Sequence, residues 1–237
     1  MILYVDYEHA STYEQPRADR LLAARTRISY RLQDLSGHRC LLQRYTDVDA
    51  DIVDELGIAA VFISGNGAPA EAYDPADLVG LADIVRRGTT PVFGFCGGFQ
   101  FIGLTLGAPL DRIGPLGDDE PDSHPDYQPG WRTELGYEPI EVTAEHPLVD
   151  GLGERPVVRH AHAWELKDLP DGFVNLARTA TSEIQCIAHE TLPLAGTQFH
   201  PEYWTDEHPA GRRLIANFCA WAGITPTVGA LPPTSST

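Results

Sequence analysis

Short apolar runs alternate with longer amphipathic stretches through the first hundred residues of the chain. The runs lack the apolar–polar alternation of a strand with one solvated face, which is typical of parallel strands buried on both sides. Pro16, Gly37 and Gly88 stand where helices commonly begin or end. The pattern predicts strands at 2–6, 39–45, 58–64 and 90–95, with helices at 16–36, 50–56, 74–87 and 97–106.

The second half of the chain has a different pattern, with a long polar loop at 111–134 followed by strands joined by short turns. The two halves together predict one α/β domain over residues 1–223, a flavodoxin-like three-layer fold with a mixed, largely parallel central sheet. Residues 224–237 are expected to form a flexible tail. The later elements are predicted as strands at 135–142, 156–166, 173–178, 184–189 and 194–199 and a helix at 208–221.

Composition narrows the classes of function. The chain has 237 residues, 43% of them hydrophobic, and a formal charge of −17. A surface this acidic disfavours nucleic acid and anionic membranes as partners, and no run of basic residues offsets it. No export signal and no membrane-length apolar stretch is visible, so a cytoplasmic location and free thiols at the four cysteines are expected.

One cysteine differs from the other three in its surroundings. Cys96 lies in Gly94-Phe95-Cys96-Gly97-Gly98, directly after a predicted strand and before a predicted helix. This G-x-nucleophile-x-G form is typical of a nucleophile elbow, and the helix N-terminus favours a thiolate. The alternative is a buried cysteine beside a tight turn, since the motif alone is only moderately specific.

Two further segments follow predicted strands and would meet Cys96 at the same edge of the sheet. In "TQFHPE", His200 and Glu202 are two residues apart on an extended chain, so the carboxylate can orient the imidazole as a base and acid. In "ISGNGAP", the N–H groups of Gly65 and Asn66 suit an oxyanion hole, with the N–H of Gly97 as a second donor. Either segment alone is equally typical of an ordinary turn or glycine loop.

The three segments together resemble the class I, triad-type glutamine amidotransferases, whose pattern is G-x-C-x-G-x-Q and then Q-F-H-P-E. "GFCGGFQ" and "TQFHPE" carry the resemblance, and "ILYVD", "ISGNG" and "NFCAWAG" extend it over roughly residues 1–223. The resemblance implies Cys96 as nucleophile, His200 as general base and acid, and Glu202 as the orienting carboxylate. It also implies that Gln100, Gly67 and His162 help to bind the substrate.

Several positions depart from the family's pattern. Its usual S-G-G-P loop reads Ser64-Gly65-Asn66-Gly67 here, and Ala161 stands between His160 and His162 where a serine is common. These changes could mark a γ-glutamyl substrate other than glutamine. The two histidines could also bind a metal, but no third ligand has convincing spacing, so neither a metal nor a cofactor is predicted. The acidic stretch 117–127 is expected to be a solvated loop or, alternatively, a lid over the site.

The favoured function is therefore hydrolysis of the glutamine γ-amide, with the ammonia supplied to a separate synthase. The alternatives are a stand-alone γ-glutamyl hydrolase or acyltransferase that uses the same triad, and a non-catalytic binding module that keeps the fold. The three triad residues argue against the last, because a module freed from catalysis need not retain them.

Overall fold

The computed structural model describes residues 1–224 and shows an α/β fold with one eight-stranded sheet and two small two-stranded sheets. The predicted flexible tail falls outside the described residues, except that Ile224 is buried against the core. The helices are α1 Ala18–Ser36, α2 Ala50–Glu55, α3 Val79–Arg87, α4 Gly97–Thr105 and α5 Ala210–Trp221. The strands are β1 Ile2–Asp6, β2 Cys40–Arg44, β3 Ala60–Ile63, β4 Val92–Phe95, β5 Leu110–Arg112, β6 Glu134–Pro139, β7 Glu141–Val142, β8 Val157–His162, β9 Trp164–Leu166, β10 Phe173–Arg178, β11 Cys186–His189 and β12 Leu194–Thr197.

The large sheet has the strand order β2-β1-β3-β4-β12-β11-β10-β7. The first five strands of this order are mutually parallel, and the remaining pairings are antiparallel. β12 therefore joins the two parts, because it pairs in parallel with β4 and antiparallel with β11. The carboxyl ends of β4 and β12 lie side by side, which is where a site is expected in an open parallel sheet.

Helices cover both faces of the large sheet, so the fold has the three layers that the sequence predicts. One apolar cluster joins the sheet to α2, α3 and α4, through residues such as Val53, Leu81 and Ile102. The other joins it to α1 and α5, through Ile28, Leu32 and Phe218 among others. Burial on both faces explains why the parallel strands read as continuous apolar runs. Among the described residues, no helix combines the length and apolarity needed to cross a bilayer.

The structure corrects the predicted strands of the second half. The strand predicted at 135–142 ends at Pro139, which has no N–H for a further ladder bond, and β7 then joins the large sheet instead. The strand predicted at 156–166 breaks at Ala163. Its first part pairs with β6 and its second with β5, a strand that begins inside the expected loop.

Candidate active site

Cys96 occupies the turn between β4 and α4 in a strained conformation. Its backbone has φ 48° and ψ −102°, outside the regions that L-residues favour. The N–H of Cys96 donates to the carbonyl of Thr197 at 2.7 Å, which ties the turn to β12. This is the geometry of a nucleophile elbow, and it places the thiol at the first turn of α4.

Two glycines let this turn form. A Cβ on Gly94 would overlap with the backbone of Gly98, and a Cβ on Gly98 would overlap with the carbonyl of Ile63. The strand, the turn and the helix therefore approach each other at distances that only glycine allows. The glycines flanking Cys96 serve close backbone packing as well as exposure of the thiol.

His200 and Glu202 follow β12 at the same edge of the sheet. The N–H of His200 donates to the carbonyl of Arg159 at 2.7 Å, and Nδ1 of its ring lies 2.8 Å from Oε1 of Glu202. The Glu202 side chain is only 1% exposed, whereas that of His200 is 14% exposed. A buried carboxylate thus holds one nitrogen of a partly accessible imidazole.

The Cys96 thiol and the His200 ring are neighbours. Both lie against Gly65, where a Cβ would stand 3.5 Å from Cβ of Cys96 and 2.8 Å from Cε1 of His200. Burial by itself lowers the pKa of the imidazole, but the Glu202 carboxylate and the Cys96 thiol outweigh it and raise the pKa of His200 to about 10. The arrangement therefore favours a protonated imidazole beside the sulfur.

The loop after β3 is held on both sides of Asn66. Nη2 of Arg25 donates to the Gly65 carbonyl at 2.7 Å, and Nε of the same guanidinium pairs with Asp6 at 2.7 Å. In a trans peptide the following N–H points away from that carbonyl, so the Asn66 N–H is directed away from Arg25. The Asn66 nitrogen would lie 2.9 Å from a Cβ on Gly97. Asn66 and Gly97 are thus adjacent, as the predicted oxyanion hole requires.

The predicted substrate-binding residues have partners inside the protein. The N–H of Gly67 donates to Oε2 of Glu8 at 2.7 Å. The amide of Gln100 donates to the Trp164 carbonyl at 3.2 Å and to Gln198 at 3.1 Å. Nδ1 of His162 lies 3.0 Å from the Trp164 carbonyl, and Nε2 is engaged as well. Direct contact between these groups and a substrate would require them to change partners.

Three residues at the site have roles that the sequence reasoning missed. Glu8 holds the N–H groups of Gly67 and Ala68, Arg25 holds the Gly65 carbonyl, and Gln198 donates to Sγ of Cys96 at 3.6 Å. Glu8 and Gln198 each follow the last residue of a parallel strand by one or two positions. This placement was the available signal for both, whereas α1 offered none for Arg25.

The other cysteines lack these features. Burial raises the pKa of Cys40 and of Cys219 to about 12, and it raises the pKa of Cys186 still further. Their thiols are protonated near neutral pH and are poor nucleophiles.

The segment 111–134 reaches across to the thiol. Arg112 stacks between the rings of Trp131 and Trp164, at 4.4 and 5.0 Å from the ring centroids. Burial raises the pKa of Tyr127, and the nearby Cys96 adds to this effect. Tyr127 therefore lies near the thiol, as expected for a lid and not for a freely solvated loop.

One cluster beside the site has the donor set of a metal centre. Glu134, His160 and His162 bring three ligand atoms within 4.8 Å of one another. Burial opposes ionisation of Glu134, but the two imidazoles hold the pKa of its carboxyl far below its usual range. The third ligand that sequence spacing could not identify thus comes from the neighbouring strand.

Comparisons with known proteins agree with this geometry. The family model "Glutamine amidotransferase class-I" matches residues 25–221. A glutamine-hydrolysing GMP synthase subunit of Methanococcoides burtonii is 32% identical over 79% of this chain and 85% of its own length. The corresponding subunit of Methanosarcina mazei is 35% identical over 57% of this chain, which spans 62% of that relative.

A solved structure shows the same fold over nearly the whole chain. A protein of Thermoplasma acidophilum that is similar to this GMP synthase subunit superposes with a TM-score of 0.67 and 25% identity, covering 94% of both chains. The family model covers most of the chain and includes both the elbow and the His-Pro-Glu segment. The chain belongs to the class-I glutamine amidotransferase family.

Proposed function

We propose that the protein hydrolyses the γ-amide of glutamine through Cys96, His200 and Glu202 and supplies the ammonia to a separate synthase. The observation that carries this proposal is the strained elbow at Cys96 beside the His200–Glu202 pair, whose imidazole is stabilised in its protonated form. A thiolate next to an imidazolium is the reactive state of a cysteine nucleophile.

The first half of the reaction forms a thioester. The Cys96 thiolate attacks the amide carbon, and the carbonyl oxygen becomes an oxyanion. The imidazolium of His200 then gives its proton to the amide nitrogen, so that ammonia leaves as the C–N bond breaks. Glu202 stabilises the positive charge on His200 before this transfer and keeps the ring oriented.

The second half regenerates the enzyme. Neutral His200 takes a proton from water, and the hydroxide attacks the thioester carbon through a second oxyanion. Glutamate leaves as the C–S bond breaks, and the thiolate–imidazolium pair is restored. Both oxyanions need donors at fixed positions, since they exist only transiently.

The N–H groups of Asn66 and Gly97 are our candidates for these donors. The support is their adjacency and the anchoring of the Gly65 carbonyl by Arg25, a side chain whose charge is paired with Asp6 in a buried position. A loop held in this way does not need a partner to turn the Asn66 N–H inward. We therefore expect measurable glutaminase activity from the isolated chain.

The synthase partner is proposed to be of the GMP synthase type, because the relatives that match this chain carry that name. The test measures glutamate release by the isolated chain, and then ammonia-dependent amination by an added synthase with glutamine as the only nitrogen source. Coupled product formation that requires Cys96 supports the proposal. Rapid glutamine hydrolysis with no transfer to any synthase would reduce it to its first half.

A second candidate is a stand-alone hydrolase of another γ-glutamyl amide. It is favoured by Ala161 in place of the common serine and by the engaged amide of Gln100, because both alter the contacts expected for glutamine. A panel of γ-glutamyl amides, with Cys96→Ala as the blank and Cys40→Ala as the matched control, separates the two. A kcat/KM that is highest for an amide other than glutamine would favour this candidate.

A further inference from the structure

The cluster of Glu134, His160 and His162 holds groups that hydrogen bonding alone does not satisfy. Glu134 lies on β6, and both histidines lie on the adjacent strand β8. Their side chains are 9%, 0% and 2% exposed. Neither ring nitrogen of His160 has a hydrogen-bond partner, which is costly for a fully buried imidazole.

The hydrogen bonds of His162 identify which of its nitrogens is available as a ligand. Nδ1 lies 3.0 Å from the Trp164 carbonyl, which can only accept, so Nδ1 carries a hydrogen. Nε2 therefore faces Oε2 of Glu134 at 2.7 Å, with either a proton or a cation between them. Metal-bound histidines commonly donate their second N–H to a backbone carbonyl in this manner.

Other contacts fix the carboxylate from its far side. The hydroxyl of Thr179 donates to Oε1 of Glu134, and the amide of Gln185 lies 2.6 Å from Oε2. The side-chain oxygen of Gln185 is itself buried without a partner. Rotation of this amide by half a turn would exchange its nitrogen and oxygen and offer a fourth oxygen ligand.

The distances suit a small divalent ion. A cation about 2.0–2.2 Å from each ligand requires ligand atoms roughly 3 to 3.5 Å apart. Nδ1 of His160 is already 3.3 Å from Oε2 of Glu134, and the 2.7 Å separation to His162 would widen by a few tenths of an ångström. Two imidazoles and one carboxylate favour first-row transition metals over Mg²⁺ or Ca²⁺.

We propose that Glu134, His160 and His162 form a binding site for one divalent transition-metal ion, with Zn²⁺ as the probe. The ion would cross-link β6 and β8 and so fix Ala161, whose carbonyl lies 3.9 Å from Sγ of Cys96. The site is structural, and it does not depend on the proposed glutamine hydrolysis.

The test measures metal content in a protein without an affinity tag and with Cys96→Ala, so that the active-site thiol cannot bind the ion. After dialysis against Zn²⁺ or Co²⁺ and removal of the excess, we expect one equivalent of bound metal. His160→Phe should weaken binding by at least about 100-fold, more than loss of an outer partner of a metal ligand does. His124→Asn, in the loop over the site, is the matched control and should bind normally.

The two possible results are distinguishable even where a variant fails to fold. X-ray absorption at the zinc edge of the Cys96→Ala protein reports the ligands directly, and we expect two imidazoles with oxygen donors. The absence of stoichiometric metal, unchanged binding in His160→Phe, or a ligand set with fewer than two imidazoles would each overturn the proposal. Loss of the metal with glutaminase activity retained in the Cys96 protein would leave the proposed function intact.

Discussion

Two histidine–glutamate pairs lie within the same domain and have nearly equal separations. His200 and Glu202 are 2.8 Å apart at the edge of the large sheet, and His162 and Glu134 are 2.7 Å apart between the strands of a small one. The difference lies at the second ring nitrogen. In His162 it is taken by the Trp164 carbonyl, whereas His200 interacts with the Cys96 thiol.

The comparison shows that a carboxylate-held imidazole gains a chemical role only when its other nitrogen meets a reacting group. His200 can pass a proton to and from such a group. His162 can pass none without breaking a bond to the backbone, so we expect its pair to act on structure.

The largest expected effect is the loss of the nucleophile. Cys96→Ala should lower glutaminase kcat by about 10⁴-fold or more, because no other group can form the thioester. The melting temperature should change little, since the thiol makes only long contacts at 3.6 and 3.9 Å. Cys40→Ala is the control and should keep full activity. Comparable losses in both variants would contradict the assignment of Cys96.

The next effect compares the two carboxylates directly. Glu202→Gln should reduce kcat by about 10³-fold, less than His200→Ala, because it removes orientation and charge stabilisation but not the proton carrier. Glu134→Gln should instead lower the free energy of unfolding by about 2–4 kcal/mol, as loss of one partner of a buried charge pair does. Its kcat should fall only a few-fold. Kinetics and urea unfolding of both variants check the contrast, and equal profiles would remove the distinction between the pairs.

A smaller effect concerns the loop beside the thiol. Arg25→Lys keeps the charge beside Asp6 but cannot reach Asp6 and the Gly65 carbonyl together. We expect kcat to fall about 10–100-fold, part of the loss that follows removal of one oxyanion donor, with KM nearly unchanged. Arg27→Lys, on the exposed side of α1, is the matched control. A change in KM alone would mean that Arg25 acts on substrate binding instead.

The predictability of the fold and site follows the distance along the chain over which each feature is encoded. The elbow and the His200–Glu202 pair lie within short segments at strand ends, so residue types and spacing predicted them. The Glu134–His162 pair spans 28 residues and depends on the register of β6 with β8, which periodicity alone does not specify. Arg25 lies on a helix whose rotation about its axis decides whether it meets Gly65. Strand breaks at Pro139 and Ala163 depend on the choice between two sheets.

The smallest expected effect is on pH dependence, and it tests whether Glu202 is what keeps His200 charged. The pKa of His200 is raised to about 10, from an ordinary value of 6.5, so its charged form stabilises the folded state. For a raised pKa this contribution is fully present below pH 6.5 and is lost as the pH rises to about 10. In a Cys96→Ala background, where Glu202 is the main remaining cause, Glu202→Gln should remove the contribution. The difference in unfolding free energy between the two proteins should therefore be greatest at pH 6 and should shrink steadily toward pH 10, measured by urea unfolding at each pH. Curves that stay parallel across this range would mean that Glu202 orients the ring without stabilising its charge, and the contrast between the two pairs would then rest on geometry alone.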